Sequence, residues 1–320
     1  MQNNRRILGL MAGLLMAFPA AAIAEAKPLT VAYSDGITSA VPFFVAQQQG
    51  FFKEAGLEVN GLMMGGSGAA MAAAIKAGDI DIALGGAAQY MGFIANGAVD
   101  GKLIGELTDN NYAILGADGI TSVDQLRGKK FGISSHNAAD HVYSIAVLSR
   151  FGIKPEEIEW IPLGNAPARL SALMTDNVQG IEITITSLPE SEADRIISSP
   201  DESPVPFVGS GVFATSAMIE GRRADLRLFL DSVGKGADWI RAHPEEAVKI
   251  CLDSGADEAR CKDTIRVGVT SKNPYMWPSD SRLNIAAIEG MIPEVILAAP
   301  KGKGMTIENF VDSELAKGRN

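Results

Sequence analysis

One plan recurs along this chain: a short apolar run, a loop of small polar residues, a helical stretch and a second apolar run. In the first copy Leu57 to Met63 reads as a strand and Gly65-Gly66-Ser67-Gly68 as the loop. Ala69 to Ala77 follows as a helix on its Ala content, with Met71 and Ile75 four apart on one face. Gly78 is a natural helix stop, and Ile80, Ile82 and Leu84 then alternate with Asp79, Asp81 and Ala83 as a strand does. The second copy places a strand at Lys130 to Ser134, the loop Ser135-His136-Asn137, and an amphipathic helix from Ala138 to Arg150 that Gly152 ends. The third runs from Glu159 to Leu163 through Gly164-Asn165-Ala166, with Pro167 near the first helical position, to a strand at Ile181 to Ile185. Strands alternating with helices at this spacing predict parallel α/β sheets.

In such sheets ligands collect beyond the carboxyl ends of the strands, where loops lead into helices. A helix start offers unpaired N–H groups and the positive end of the helix dipole. Small residues let a ligand approach those groups closely. All three loops occupy that place, so Gly65 to Gly68 is a candidate backbone cradle. The simpler alternative is a surface turn with Ser67 as helix N-cap. No Gly-Lys-Ser/Thr follows, so it is not a P-loop, and Met71 stands where a dinucleotide fingerprint needs its last glycine.

The chain of 320 residues is long enough for two domains, and 47% hydrophobic residues suffice for a packed core. Arg5 and Arg6, the apolar run Ile7 to Phe18 and the small-x-small site Ala22-Ile23-Ala24 read as a secretory signal over residues 1–24. Without it, 26 basic residues face 38 acidic ones, a net charge of −12 that argues against nucleic acid or an anionic membrane as partner. Cys251 and Cys261, ten apart, could close a local disulfide in an oxidising compartment; free buried thiols are the alternative. With no His nearby they make no zinc site.

The stretch Val31 to Val59, with Ala46 to Gly50, Phe52 and Gly56-Leu57-Glu58-Val59, resembles the opening of periplasmic substrate-binding proteins of the nitrate/sulfonate/taurine ABC-import class. The Gly-rich loop with its Ala-rich helix and Gly-x-x-Asp-x-Ala strand, Leu126 to Ser135, and Pro162 to Leu173 match further segments in the family's order. The broad family also includes proteins that carry thiamine-pyrimidine precursors and a thiamine-pyrimidine synthase, whose cysteine-rich motif is absent here. The resemblance implies a type II periplasmic binding fold: two α/β lobes, hinged, closing on a small-molecule solute that is then delivered to an ABC permease. It implies no catalytic residue, metal or cofactor, a periplasmic location, and a monomer as the default. The first lobe would take residues 27–115 and 210–320, the second 116–209.

The cleft candidates are the residues at strand ends and crossovers. From the first lobe come Ser34, Asp35, Thr38, Ser39, Ser67, Gly68, Gln89 and Tyr90. Asn111 and Tyr112 sit near the forward crossover and Phe213 near the return. The second lobe adds Ser135, His136, Asn137, Asn165 and Glu182. None of these loops carries Lys or Arg. A sulfonate or nitrate could still be held by N–H groups and hydroxyls. Asp35 and Glu182 point the other way, towards a ligand that donates hydrogen bonds, and Tyr90, Tyr112 and Phe213 could stack on a flat ring. The balance favours a neutral or nitrogen-bearing solute such as a pyrimidine, with the sulfonate/nitrate/taurine class beside it. Ser135, His136 and Asp140 lack the Gly-x-Ser-x-Gly elbow of a hydrolase. Trp160 reads as core; Trp277 either lines the cleft or packs under a loop.

Overall fold

The computed structural model describes residues 27–34, 38–64, 68–200, 203, 205–271 and 276–317. The expected export signal at residues 1–24, Gly65 to Ser67 and Asp35 lie outside the described residues. Two five-stranded sheets form the frame. The first has the order β2 (Val59–Met64), β1 (Leu29–Ser34), β3 (Ile82–Gly86), β10 (Val208–Thr215), β4 (Gly101–Asp109). The second has the order β7 (Glu159–Pro162), β6 (Lys130–Ile133), β8 (Gly180–Thr184), β5 (Tyr112–Gly116), β9 (Ile196–Ser198). Four strands of each sheet run in one direction, three of them paired parallel as the repeated plan requires, so the sheets are mixed and not the purely parallel ones expected. The strand arriving from the other lobe, β10 or β5, pairs antiparallel with both neighbours.

The helices of the first two repeats appear within two residues of their predicted bounds, and that of the third begins one residue before Pro167. In the first lobe, α1 (Val41–Gln48), α2 (Phe51–Glu54), α3 (Gly68–Ala77) and α4 (Ala87–Ala95) follow the strands, and α5 (Ala139–Arg150) and α6 (Ala166–Met174) do so in the second. After β10 the chain is helical: α7 (Ser216–Gly221), α8 (Arg223–Ala242), α9 (Pro244–Cys251), α10 (Glu258–Thr270), α11 (Ile285–Ala298) and α12 (Ile307–Phe310). α8 packs on α1 and α2 through an aromatic core in which Phe52 and Phe229 stack at 5.1 Å. α11 packs against α4 of one lobe and α5 of the other, and α10 reaches the turn Ile185–Ser187 beyond β8. No helix among the described residues is long and apolar enough to cross a membrane.

The lobe boundaries fall earlier than the sequence suggests. β5, placed with the first lobe by the span 27–115, hydrogen-bonds to β8 in the second sheet, and Val208 and Gly209 already belong to β10 in the first. The forward crossover is Asn110-Asn111, where the Asn110 side chain turns the chain by accepting the Tyr112 N–H at 3.1 Å. An apolar run such as Tyr112 to Gly116, wholly buried, gives no sign of which sheet it joins. The two crossovers touch: Tyr112 Oη donates to the Gly209 carbonyl at 3.3 Å, and a Cβ on Gly209 would meet the Asp109 carbonyl at 2.6 Å and Asn111 Oδ1 at 2.8 Å.

Cys251 and Cys261 are bonded to each other, with Cα atoms 5.7 Å apart, and tie the end of α9 to α10. Closing a loop this short in the unfolded chain gives a stabilisation of about 3 kcal/mol. Replacing both by Ser is expected to lower the unfolding free energy in guanidinium by about that amount. A loss under about 1 kcal/mol would show that the bridge constrains little.

Candidate functional site

Between the lobes lies a cleft of about 590 Å³, walled by strand ends and by the starts of helices from both sides. Gly68 opens α3, Gly86 and Gln89 stand at the start of α4, Ala138 and Ala139 at α5, and Asn165 and Ala166 at α6. The start of α6 is capped by its own Asn165, whose Oδ1 accepts the Ala168 N–H at 3.0 Å. The starts of α4 and α5 have no side-chain cap, so their first-turn amides are left for a ligand or water. The two starts also face one another. A Cβ on Gly86 would lie 2.8 Å from the Ala139 methyl of the other lobe, so only glycine allows this approach.

A buried charge cluster forms the second-lobe wall. Arg169 projects from α6, 6% exposed; its Nη2 donates to Glu182 Oε2 at 2.9 Å, its Nε to the Glu182 carbonyl at 3.1 Å and its Nη1 to the Gly164 carbonyl at 2.7 Å. Asp140, at the first turn of α5, lies 3.9 Å from Arg169 Nη1 and accepts both the Ser134 N–H and its hydroxyl at 2.5 Å. Glu182 is 1% exposed. Burial pushes its carboxyl up to about 8; Arg169 pulls it down and Asp140 adds to the rise. At neutral pH the carboxyl is therefore chiefly protonated. Oε2 faces Arg169, and among the described residues no protein group pairs with Oε1, which leaves that oxygen to the cleft. Arg169 and Asp140 then offset one another, and the helix starts leave the cleft with a positive bias.

The wall contains Ser34, Thr38, Ser39, Gly68, Gln89, Asn111, Tyr112, Ser135, Asn165 and Glu182 together. Asp35 and Ser67 lie outside the described residues. His136 and Asn137 line a neighbouring groove instead, and the Asn137 N–H donates to His141 Nδ1 at 3.0 Å. Tyr90 and Phe213 are a correction: both are buried in the first-lobe core, stacked on each other at 5.2 Å, and neither lines the cleft. Tyr90 sits on the inward face of α4, and β10 is covered on both sides, so both rings turn away from solvent. Trp277 packs beneath the loop, donating to the Ser39 carbonyl at 3.2 Å. Trp160 is half-buried against Phe131, its Nε1 donating to the Pro155 carbonyl at 2.9 Å.

The loops carry no Lys or Arg, but two cations reach the cleft from helices. Arg169 lines it from within a helix and Arg260 from α10, in the C-terminal segment. Thr184, Thr186, Ser187 and Ser210 add hydroxyls that the loops did not advertise. Arg169 did carry a signal. It shares the buried stripe of α6 with Leu173, four residues on, and a charged group there needs a buried partner. Among the described residues no three His, Cys, Asp or Glu side chains are arranged to hold a metal ion.

A family model described as "NMT1/THI5 like" matches residues 37–247. The chain belongs to the NMT1/THI5-like family. No curated protein matches it in sequence. Solved structures share the fold of this NMT1/THI5-like chain. The periplasmic nitrate-binding protein NrtA of Synechocystis superposes with a TM-score of 0.71 at 12% identity, over 91% of this chain and 87% of its own. The alkanesulfonate-binding protein SsuA of Xanthomonas axonopodis, bound to MOPS, gives 0.69 at 17% over 90% and 99%. The periplasmic aliphatic sulphonate-binding protein SsuA of Escherichia coli gives 0.63 at 18% over 75% and 83%. Two lobes of mixed α/β sheet around a cleft are thus the periplasmic binding protein architecture.

Proposed function

We propose that this NMT1/THI5-like chain is the solute-binding subunit of an ABC importer, exported by its first 24 residues and working as a periplasmic monomer that hands its cargo to a permease. The observation that carries the reading is the convergence of helix starts from both lobes on one cleft, two of them uncapped. A small organic solute with a monoanionic head, of the sulfonate or nitrate type, would take the free amides of α4 and α5 and the protonated carboxyl of Glu182. Contacts completed only when the lobes meet shift the population towards the closed form. Binding needs no chemistry on the cargo, and the chain's two cysteines are joined to each other, which leaves neither as a nucleophile. A second reading, an aminopyrimidine-like solute, draws on Asn111 Oδ1, a buried acceptor without a donor on a residue 4% exposed.

Calorimetry with ethanesulfonate, nitrate and 4-aminopyrimidines tests the reading. One class should bind and be recovered unchanged; conversion of any of them to product would overturn it in favour of an enzyme. Gly86→Val tests closure. The added carbons collide with Ala139 across the cleft, so affinity for the bound class should fall about tenfold or more. Small-angle scattering with ligand should then show a larger radius than for the parent. Unchanged affinity would mean that the lobes need not meet there.

A further inference from the structure

Beside the cleft lies a second cavity of about 560 Å³, nearly as large, that the binding reading does not use. Its walls are the facing sides of α3 and α4, the end of α11 and the start of α5. Ala69, Ala72, Ala73 and Lys76 form one helical stripe on α3 at spacings of three and four, about 10 Å long. Ala88 and Gly92 oppose them from α4, and Val295 closes the far side from α11. Most of the wall is methyl and methylene surface, with Lys76 at the outer end of the α3 stripe.

The cavity is not isolated. Gly68, Gln89, Ser135 and Ala138 line both it and the cleft. A Cβ on Gly68 would come 2.3 Å from Gln89 Nε2, so the glycine leaves room for the amide that stands at the junction. Gln89 is half-buried and held by a flexible stem, and its neighbours across the junction are the small residues Gly68 and Ala138. A polar chamber and an apolar one thus share a wall in which Gln89 stands.

We propose that the solute is an amphiphile whose polar head occupies the interlobe cleft and whose apolar chain passes Gln89 into the groove between α3, α4 and α11. This rests on the solute-binding reading above and narrows its substrate class. It also accounts for the small residues at 69, 72 and 73, which line the groove and which a backbone cradle alone does not require.

Two probe series separate the claims: alkane-1-sulfonates and 1-alkylamines, each from two to ten carbons, titrated by calorimetry into the full chain. The short members report on the cleft and the growth of affinity with length reports on the groove. In the series whose head binds, affinity should rise about fourfold per methylene while the chain fills the groove, then level off. Gly92→Leu is the blocking variant. A Cβ there meets nothing within 4 Å, and the change replaces a mid-helix glycine by a good helix former, so the variant folds. In it the two-carbon member should bind as before and the gain with length should vanish. A flat series in the parent, or a gain that survives Gly92→Leu, would overturn the groove while leaving the cleft standing. If no member of either series binds, this proposal falls, while the cleft reading is decided by nitrate and the 4-aminopyrimidines.

Discussion

Arg169→Ala is expected to destabilise the protein by about 3–5 kcal/mol, because removing this buried cation leaves Asp140 without its counter-charge and three acceptors without their donor. Three hydrogen bonds end on that guanidinium, two of them on the backbone carbonyls of Gly164 and Glu182. Those carbonyls and the Glu182 carboxyl would lose their donors inside the wall of the cleft. For a chain of this size the melting temperature should drop by roughly 10 °C. Cargo affinity should fall with it, since α6 and β8 are joined through this residue and both line the site. Pairing Arg169→Met with Glu182→Leu separates the two contributions. Apolar replacement of both should recover the part lost at the Glu182 carboxyl, but not the part lost at Asp140 and the two carbonyls, and none of the binding. A loss below about 1 kcal/mol for Arg169→Ala alone would show that the cluster is solvated and energetically ordinary.

Glu182 sets the second large effect, and its sign follows from burial. The folded protein holds this carboxyl's proton up to about pH 8, whereas an unfolded chain releases it near the ordinary value of 4.5. The folded state therefore binds more protons across that window, so stability is fully present at its lower end and is lost as pH rises to about 8. Glu182→Gln keeps an acceptor for Arg169 and a donor towards the cleft but does not titrate. Its stability relative to the parent should climb between about pH 4.5 and 8, by at most about 1.4 kcal/mol per unit, and hold steady above that. The buried His141, pushed down to about 4, titrates in both proteins and cancels from the difference. Binding gives an independent readout. An anionic head should lose affinity for the parent above pH 8, where Glu182 becomes a carboxylate, and keep it for Glu182→Gln. Parallel pH profiles for the two proteins would sink the assignment of the proton to Glu182.

The strands, loops and helices of the three repeats were legible because each rests on local rules: a small-residue loop, an alanine- or leucine-rich helix, a glycine stop. Gly68, Ser135 and Asn165 could be placed at a shared mouth for the same reason, since helix starts in an α/β sheet collect at one edge. Tyr90 and Phe213 were misread because an aromatic ring near a strand end serves a core or a pocket equally well until its neighbours are known. Arg169 is missed because it sits inside a helix, where sequence reads a charge as surface, and Asp140 is weighed only as part of a hydrolase set. The crossover at Asn110-Asn111 showed as a turn, yet nothing in Tyr112 to Gly116 told which sheet would receive it.

The sequence by itself determined the alternation of strand and helix, the small loops that expose helix starts, and the family. These depend on contacts between residues a few positions apart. Only the tertiary structure decided that Gly86 and Ala139 meet across the cleft, that Arg169 is neutralised by its neighbours, and that an alanine-lined chamber shares a wall with the cleft at Gln89. Each of these is a contact between segments brought together by long crossovers, and no local pattern in the chain encodes the distance between them.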